Sequence, residues 1–171
     1  MASLKVGCYT FELKKFKIIN GEGYGDSLPF EGKLYANNRL IADCSNYGRG
    51  AEANIYPNGL NLPYFDKVSK YVKDKKIEGC RGSLEFIADL IACKNADEME
   101  AKRLMPYHIV FTHKYGGIIG VPIENGRGKK IPISDVISDE SGKSLVISII
   151  AKYRQQGYEC VSTNLGDINI D

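Results

Sequence analysis

At 171 residues and 43% hydrophobic side chains the chain can bury a sizeable core, and a charge excess of only +2 argues against a protein that coats duplex nucleic acid. Five cysteines, an odd number without a Cys-x-x-Cys pair, argue against a disulfide framework and a zinc cage, so reduced thiols and neither metal nor cofactor are expected. No stretch approaches the ~20 apolar residues of a membrane span, and "MASLKVGCYTFELKKF" lacks a signal-peptide core, so no membrane partner and a cytoplasmic location are expected.

In chain order, residues 4–18 alternate first on one parity and then on the other, which predicts a strand with one slip. "INGEGYGDS" reads as a Gly-rich connection. Its "GEGYGD", residues 21–26, echoes a G-x-G pattern but lacks the helix that should follow, so it is read as a flexible loop. Phe30–Tyr35 and Arg39–Ser45 read as strands of a hairpin turning at Asn37-Asn38, since Asn tolerates the left-handed conformation a tight turn demands. The loop "NYGRGAEANIYPN" follows and is not expected to contribute to the core.

A helix is predicted after Asn61, which can cap it, with Pro63 in its first turn and Phe65, Val68 and Val72 at helical spacing. A second helix starts at Ser83, with Leu84, Ile87, Ala88 and Ile91 on one face, breaks near Asn95 and resumes through Met99–Leu104. "YHIVFTHKY" and "GIIGVPI" form a hairpin, and "IPIS" is a short strand or extended link. Residues 144–156 make a helix docked through Val146, Ile149, Ile150 and Tyr153, stopped by Gly157 and followed by a strand at "YECVST". With no linker, this succession predicts a single α+β domain over 1–171, a mostly antiparallel sheet packed with about three helices.

Catalytic signatures are missing: there is no P-loop and no nucleophile elbow. His108 and His113 are an odd number of residues apart on a predicted strand and so face opposite ways, which rules out a shared metal without a bulge. Glu85 and Asp89 share a helix face but need no function to be tolerated in water. The chain alternates in charge, basic over 67–81, acidic over 85–100 and basic again over 102–130, a pattern most simply read as solvated faces.

Three of the six arginines adjoin glycine: Arg49 between Gly48 and Gly50, Arg81 before Gly82, and Arg127 between Gly126 and Gly128, with Lys129 close behind. Glycine lets backbone approach a ligand, guanidinium grips phosphate in bidentate fashion, and such loops can form anion-holding nests. Tyr47, with Tyr56 and Tyr64 nearby, could stack on a base. The candidate ligand-binding set is therefore Tyr47, Gly48, Arg49, Gly50, Arg81, Arg127 and Lys129. Ordinary solvated turns are the competing reading, since Asn125-Gly126 is a good turn by itself.

Residues 30–57, with Ser45, Asn46, Gly48 and Gly50 in an S-N-x-G-x-G loop behind a hairpin, resemble a pattern in small proteins of bacteriophages and mobile elements. The ending "GYECVSTNL" is similar as well. Here the hairpin turn is Asn-Asn in place of Asp-Gly, and Ala51 stands where the pattern has a second glycine. The resemblance implies no established activity. It implies a phage or plasmid accessory protein, of the kind that includes inhibitors of bacterial defence. The expected function is non-catalytic binding: sequestering a nucleotide or other anionic small molecule, or docking on a host defence protein, as a monomer or an oligomer. The alternatives are a small phosphodiesterase using His108 or His113, and a virion structural or assembly protein.

Overall fold

The computed structural model describes residues 2–19, 27–113, 116–166 and 168, so the "GEGYGD" segment lies outside the described residues. Among these the elements run β1 (Ser3–Val6), β2 (Tyr9–Ile18), β3 (Phe30–Ala36), β4 (Arg39–Asn46), β5 (Asn54–Pro57), α1 (Leu62–Lys73), β6 (Lys76–Ile77), β7 (Cys80–Arg81), α2 (Leu84–Leu104), β8 (His108–His113), β9 (Ile118–Pro122), α3 (Ile133–Val136), α4 (Glu140–Gln155) and β10 (Tyr158–Cys160). The class is α+β, and every strand pair is antiparallel. The chain divides into two compact units, 1–96 and 97–171, each with an apolar cluster of its own. The division falls inside α2, a continuous helix, which is why no linker marks it.

In the first unit β1 to β5 form a meander in sequence order. The stretch expected as one slipped strand is two strands joined at Gly7-Cys8. Gly7 takes a φ of 59°, and a Cβ there would strike the Tyr71 hydroxyl. The slip itself is also present, a bulge between Lys14 and Lys17 where Lys15 adopts a φ of 52°. Asn37 and Asn38 turn β3 into β4 with φ of 48° and 63°, the doubly left-handed geometry of a tight hairpin.

Strand alternation sorts this sheet. Phe11, Leu13, Phe30, Leu34, Ala42 and Cys44 point to one face and pack with Val68 and Val72 of α1 and Ile87, Ala88 and Ile91 of α2. Tyr9 is buried among them, its ring 5.2 Å from that of Tyr71. Tyr64 and Tyr71 are half-buried, with hydroxyls bonded to Ala36 O and Cys8 N, as suits a ring with one apolar body and one polar tip.

Three expectations change. Asn61 precedes α1 but makes no cap bond with its side chain. Its Oδ1 accepts from Arg39 at 2.6 and 2.9 Å, and its Nδ2 donates to Leu40 O, so it ties the helix to β4. Asn95 does not break α2. It is 4% exposed and its Oδ1, the acceptor that would compete with helical hydrogen bonding, accepts from Ala2 N at 2.7 Å where the first strand begins. Residues 46–58 are not outside the core, because β5 pairs with β4 and Ala53 is 3% exposed. Ser83 does open α2, its Oγ accepting from Phe86 N at 3.0 Å.

The second unit is a three-stranded sheet ordered β10-β8-β9, with Ile109 and Phe111 packed against Ile133, Val146 and Ile150. The expected face of α4 docks: Val146 and Ile150 are buried in the cluster, and Ile149 and Tyr153 pack against it half-buried. Asp139 caps α4 by accepting from Gly142 N, and Gly157 ends it with a φ of 85°. "IPIS" is not a strand. Ile131 N bonds Ile123 O, and Ile133 opens the short α3.

Candidate functional site

The face of the five-stranded sheet opposite the helices is polar and partly open. Register places its side chains in rows across the strands: Lys14, Lys33, Asp43 and Tyr56 in one, Lys17, Glu31, Ser45 and Asn54 in the next. At the end of the sheet that carries the Gly-Arg-Gly loop the rows enclose a concavity of about 320 Å³, lined by Lys15, Lys17 and Lys33, by Glu31 and Asp43, and by Gly32, Cys44, Ser45, Tyr47 and Tyr56. The β2 bulge delivers Lys15 there. Tyr47 and Tyr56 are 52% and 55% exposed, so their rings have faces free to be covered.

Charge at this site is partly compensated. Lys17 pairs with Glu31 at 2.8 Å and Lys33 with Asp43 at 2.6 Å, and no ion pair is found for Lys15 among the described residues. The hydrogen bond and charge of Asp43 push the Lys33 ammonium above its ordinary value, so Lys33 is charged at neutral pH. Ser45 is 7% exposed and its Oγ has no hydrogen-bond partner among the described residues, a buried hydroxyl on the wall of the concavity with bonding capacity to spare.

The loop behind Tyr47 is built around one buried side chain. Asn46, 2% exposed, donates through Nδ2 to Ala51 O at 2.9 Å and to Asp89 Oδ1 at 3.0 Å, and accepts at Oδ1 from Gly48 N at 2.9 Å. Asp89 Oδ2 accepts from Ala53 N at 3.0 Å, so α2 holds both ends of the loop. Burial lifts the Asp89 carboxyl above its ordinary value, and its bonds from Asn46 and Ala53 oppose this only in part. Gly48 and Gly50 both take a φ of 75°. Gly48 is buried against Pro29, while a Cβ at Gly50 would meet open space. Their amides do not form an outward nest, because Gly48 N bonds Asn46 Oδ1 and Gly50 N bonds Ser27 Oγ at 3.0 Å. Arg49 itself is exposed, two residues beyond Tyr47, with no bonded partner among the described residues.

The other predicted ligand residues sit elsewhere. Arg81 lies exposed on β7, and Gly82 beside it serves packing: a Cβ there would collide with Val72 O. Arg127 and Lys129 belong to the second unit, in a turn where Asn125 Oδ1 accepts from both of their backbone amides. Of the candidate set, Tyr47 lines the concavity. Lys15, Lys17, Glu31, Lys33, Asp43 and Ser45, which also line it, were missed because they meet only through cross-strand pairing. The strand parity of Lys33, Asp43 and Tyr56 was the one signal in the sequence that could have found them.

The histidines stay apart. His108 engages both ring nitrogens, Nδ1 with Leu104 O at 2.9 Å and Nε2 with Lys130 Nζ at 3.1 Å. Since an ammonium only donates, Nε2 accepts and Nδ1 carries the proton. The His113 ring lies 5.0 Å from Tyr158. No group of three His, Cys, Asp or Glu side chains suited to a metal occurs among the described residues, no cysteine forms a disulfide, and no described helix is long and apolar enough to cross a membrane. No protein-family model, no curated protein and no solved structure matches this chain.

Proposed function

We propose that this chain is a non-catalytic binding protein that holds a phosphate-bearing ligand of the nucleotide class on the open face of its five-stranded sheet. One observation carries the reading: three lysines and two half-exposed tyrosines from β2, β3, β5 and the Gly-Arg-Gly loop border a single concavity. Ammonium groups supply charge-assisted bonds to phosphate oxygens, and tyrosine rings supply stacking area for a base. Arg49, two residues beyond Tyr47 on a loop fixed by Asn46 and Asp89, would add a bidentate grip on a phosphate. The setting proposed is that of a phage or mobile-element accessory protein in a host cytosol, and this part rests on the sequence resemblance alone.

Equilibrium dialysis against mononucleotides and inorganic phosphate tests the reading. Binding should weaken about tenfold in Lys15→Ala and in Arg49→Ala, each the loss of one hydrogen bond to a charged group. Arg49→Lys should recover only part of it, and the nucleotide should be recovered unchanged. Equal binding by wild type and Lys15→Ala would remove the site from consideration.

A further inference from the structure

We infer that the open sheet face takes single-stranded nucleic acid, its bases stacked on Tyr47 and Tyr56 and its phosphates set against Lys15, Lys17 and Lys33. The inference rests on the site proposed above and specifies its ligand.

Three features favour a strand over a free mononucleotide. Small-ligand sites enclose most of their ligand, roughly 70–90% of its surface. Here the two rings are half-exposed on an open sheet, which suits a platform more than an enclosure. The polar rows also have reach. Lys14, Lys33, Asp43 and Tyr56 stand on four successive strands, about 14 Å at the usual strand spacing, so successive nucleotides can be contacted in turn. Finally, stacking tolerates any base, because every base has a π-face, and the site presents two half-exposed tyrosines to stack on.

The same face disfavours a duplex. Glu31 and Asp43 offset part of the charge of Lys17 and Lys33, and the excess that remains, with Lys15, suits a few phosphate contacts where a duplex binder needs many. Bases paired inside a helix cannot reach the tyrosines, whereas unpaired bases can.

Fluorescence anisotropy with a labelled eight-nucleotide oligouridylate and its oligothymidylate counterpart tests the idea, with uridine monophosphate and an eight-base-pair duplex as competitors. The single strand should bind at least tenfold more tightly than the mononucleotide and should not be displaced by equimolar duplex. Tyr47→Ala and Tyr56→Ala should each weaken it by roughly tenfold or more, the stacking of one base, while the Phe variants retain binding. Both rings are exposed, so folding is not at stake. Lys15→Ala should lower the slope of log K against log salt by about 0.7. Mononucleotide binding with no gain for the oligomer would overturn the strand and leave the nucleotide site standing. Binding of neither would overturn both. Oligomer binding indifferent to both Tyr→Ala changes would also overturn it.

Discussion

Replacing Asn46 with Ala should test whether the Gly-Arg-Gly loop is held in place from beneath. Asn46 is 2% exposed and joins Ala51, Gly48 and Asp89 through one amide group. Its bond to the Asp89 carboxylate belongs to the stronger class, about 1.5–3 kcal/mol, and the two backbone bonds are worth about 1 kcal/mol each. Gly48 N and Ala51 O can regain water as the loop loosens, which returns part of that sum, whereas half-buried Asp89 loses one of its two donors. The expected net loss is about 2–4 kcal/mol. Urea unfolding gives the total, and hydrogen exchange localises it. The Gly48 amide should lose protection first, while strands β2 and β3 keep theirs until global unfolding. Anion binding should fall with it, since Tyr47 and Arg49 no longer hold a common geometry. A stability loss within about 0.5 kcal/mol, the range of surface substitutions, with Gly48 still protected, would refute the reasoning.

Asp89 supplies a pH test. Its folded-state carboxyl is raised above the ordinary 3.8, mainly by burial, so the folded chain holds that proton more tightly than the unfolded one. Its contribution is therefore full below about pH 3.8 and is lost as pH rises through the higher folded value, and wild type should lose stability relative to Asp89→Asn over that window. Urea midpoints of the two proteins from pH 3 to 7 would show the opposite slope if the hydrogen bonds from Asn46 and Ala53 outweighed burial. Burial also pushes the Cys44 thiol up to about 12, so iodoacetamide at pH 8 should modify exposed Cys8 and Cys80 in the native protein and spare Cys44 until it unfolds. Rapid native-state labelling of Cys44, read by peptide mass, would show that β4 is turned the other way. In the second unit Ile150→Ala should cost about 2–5 kcal/mol, and half-buried Ile149→Ala clearly less. The reverse order in denaturant melts would misplace the face of α4.

What the sequence determines by itself is local. Asn37-Asn38 specifies its hairpin because few other residues accept two consecutive left-handed φ angles. Ser83 and Gly157 mark helix ends through a cap hydroxyl and a positive φ, and the α+β class follows from the order of such segments. Only the tertiary structure decides how long-range partners spend their polar groups. Asn61 and Asn95 carry the same side chain as any cap or breaker, yet Arg39 and Ala2 claim them and change what each does to its helix. The candidate site is of this second kind. Arg49 and Tyr47 stand out in the chain because glycine and aromatic residues are conspicuous neighbours. Lys15, Lys33 and Tyr56 become neighbours only when antiparallel register brings their strands side by side, with a bulge at Lys15 re-aiming one of them. Pairing register depends on contacts between segments far apart in sequence, and a linear pattern of residues does not contain it.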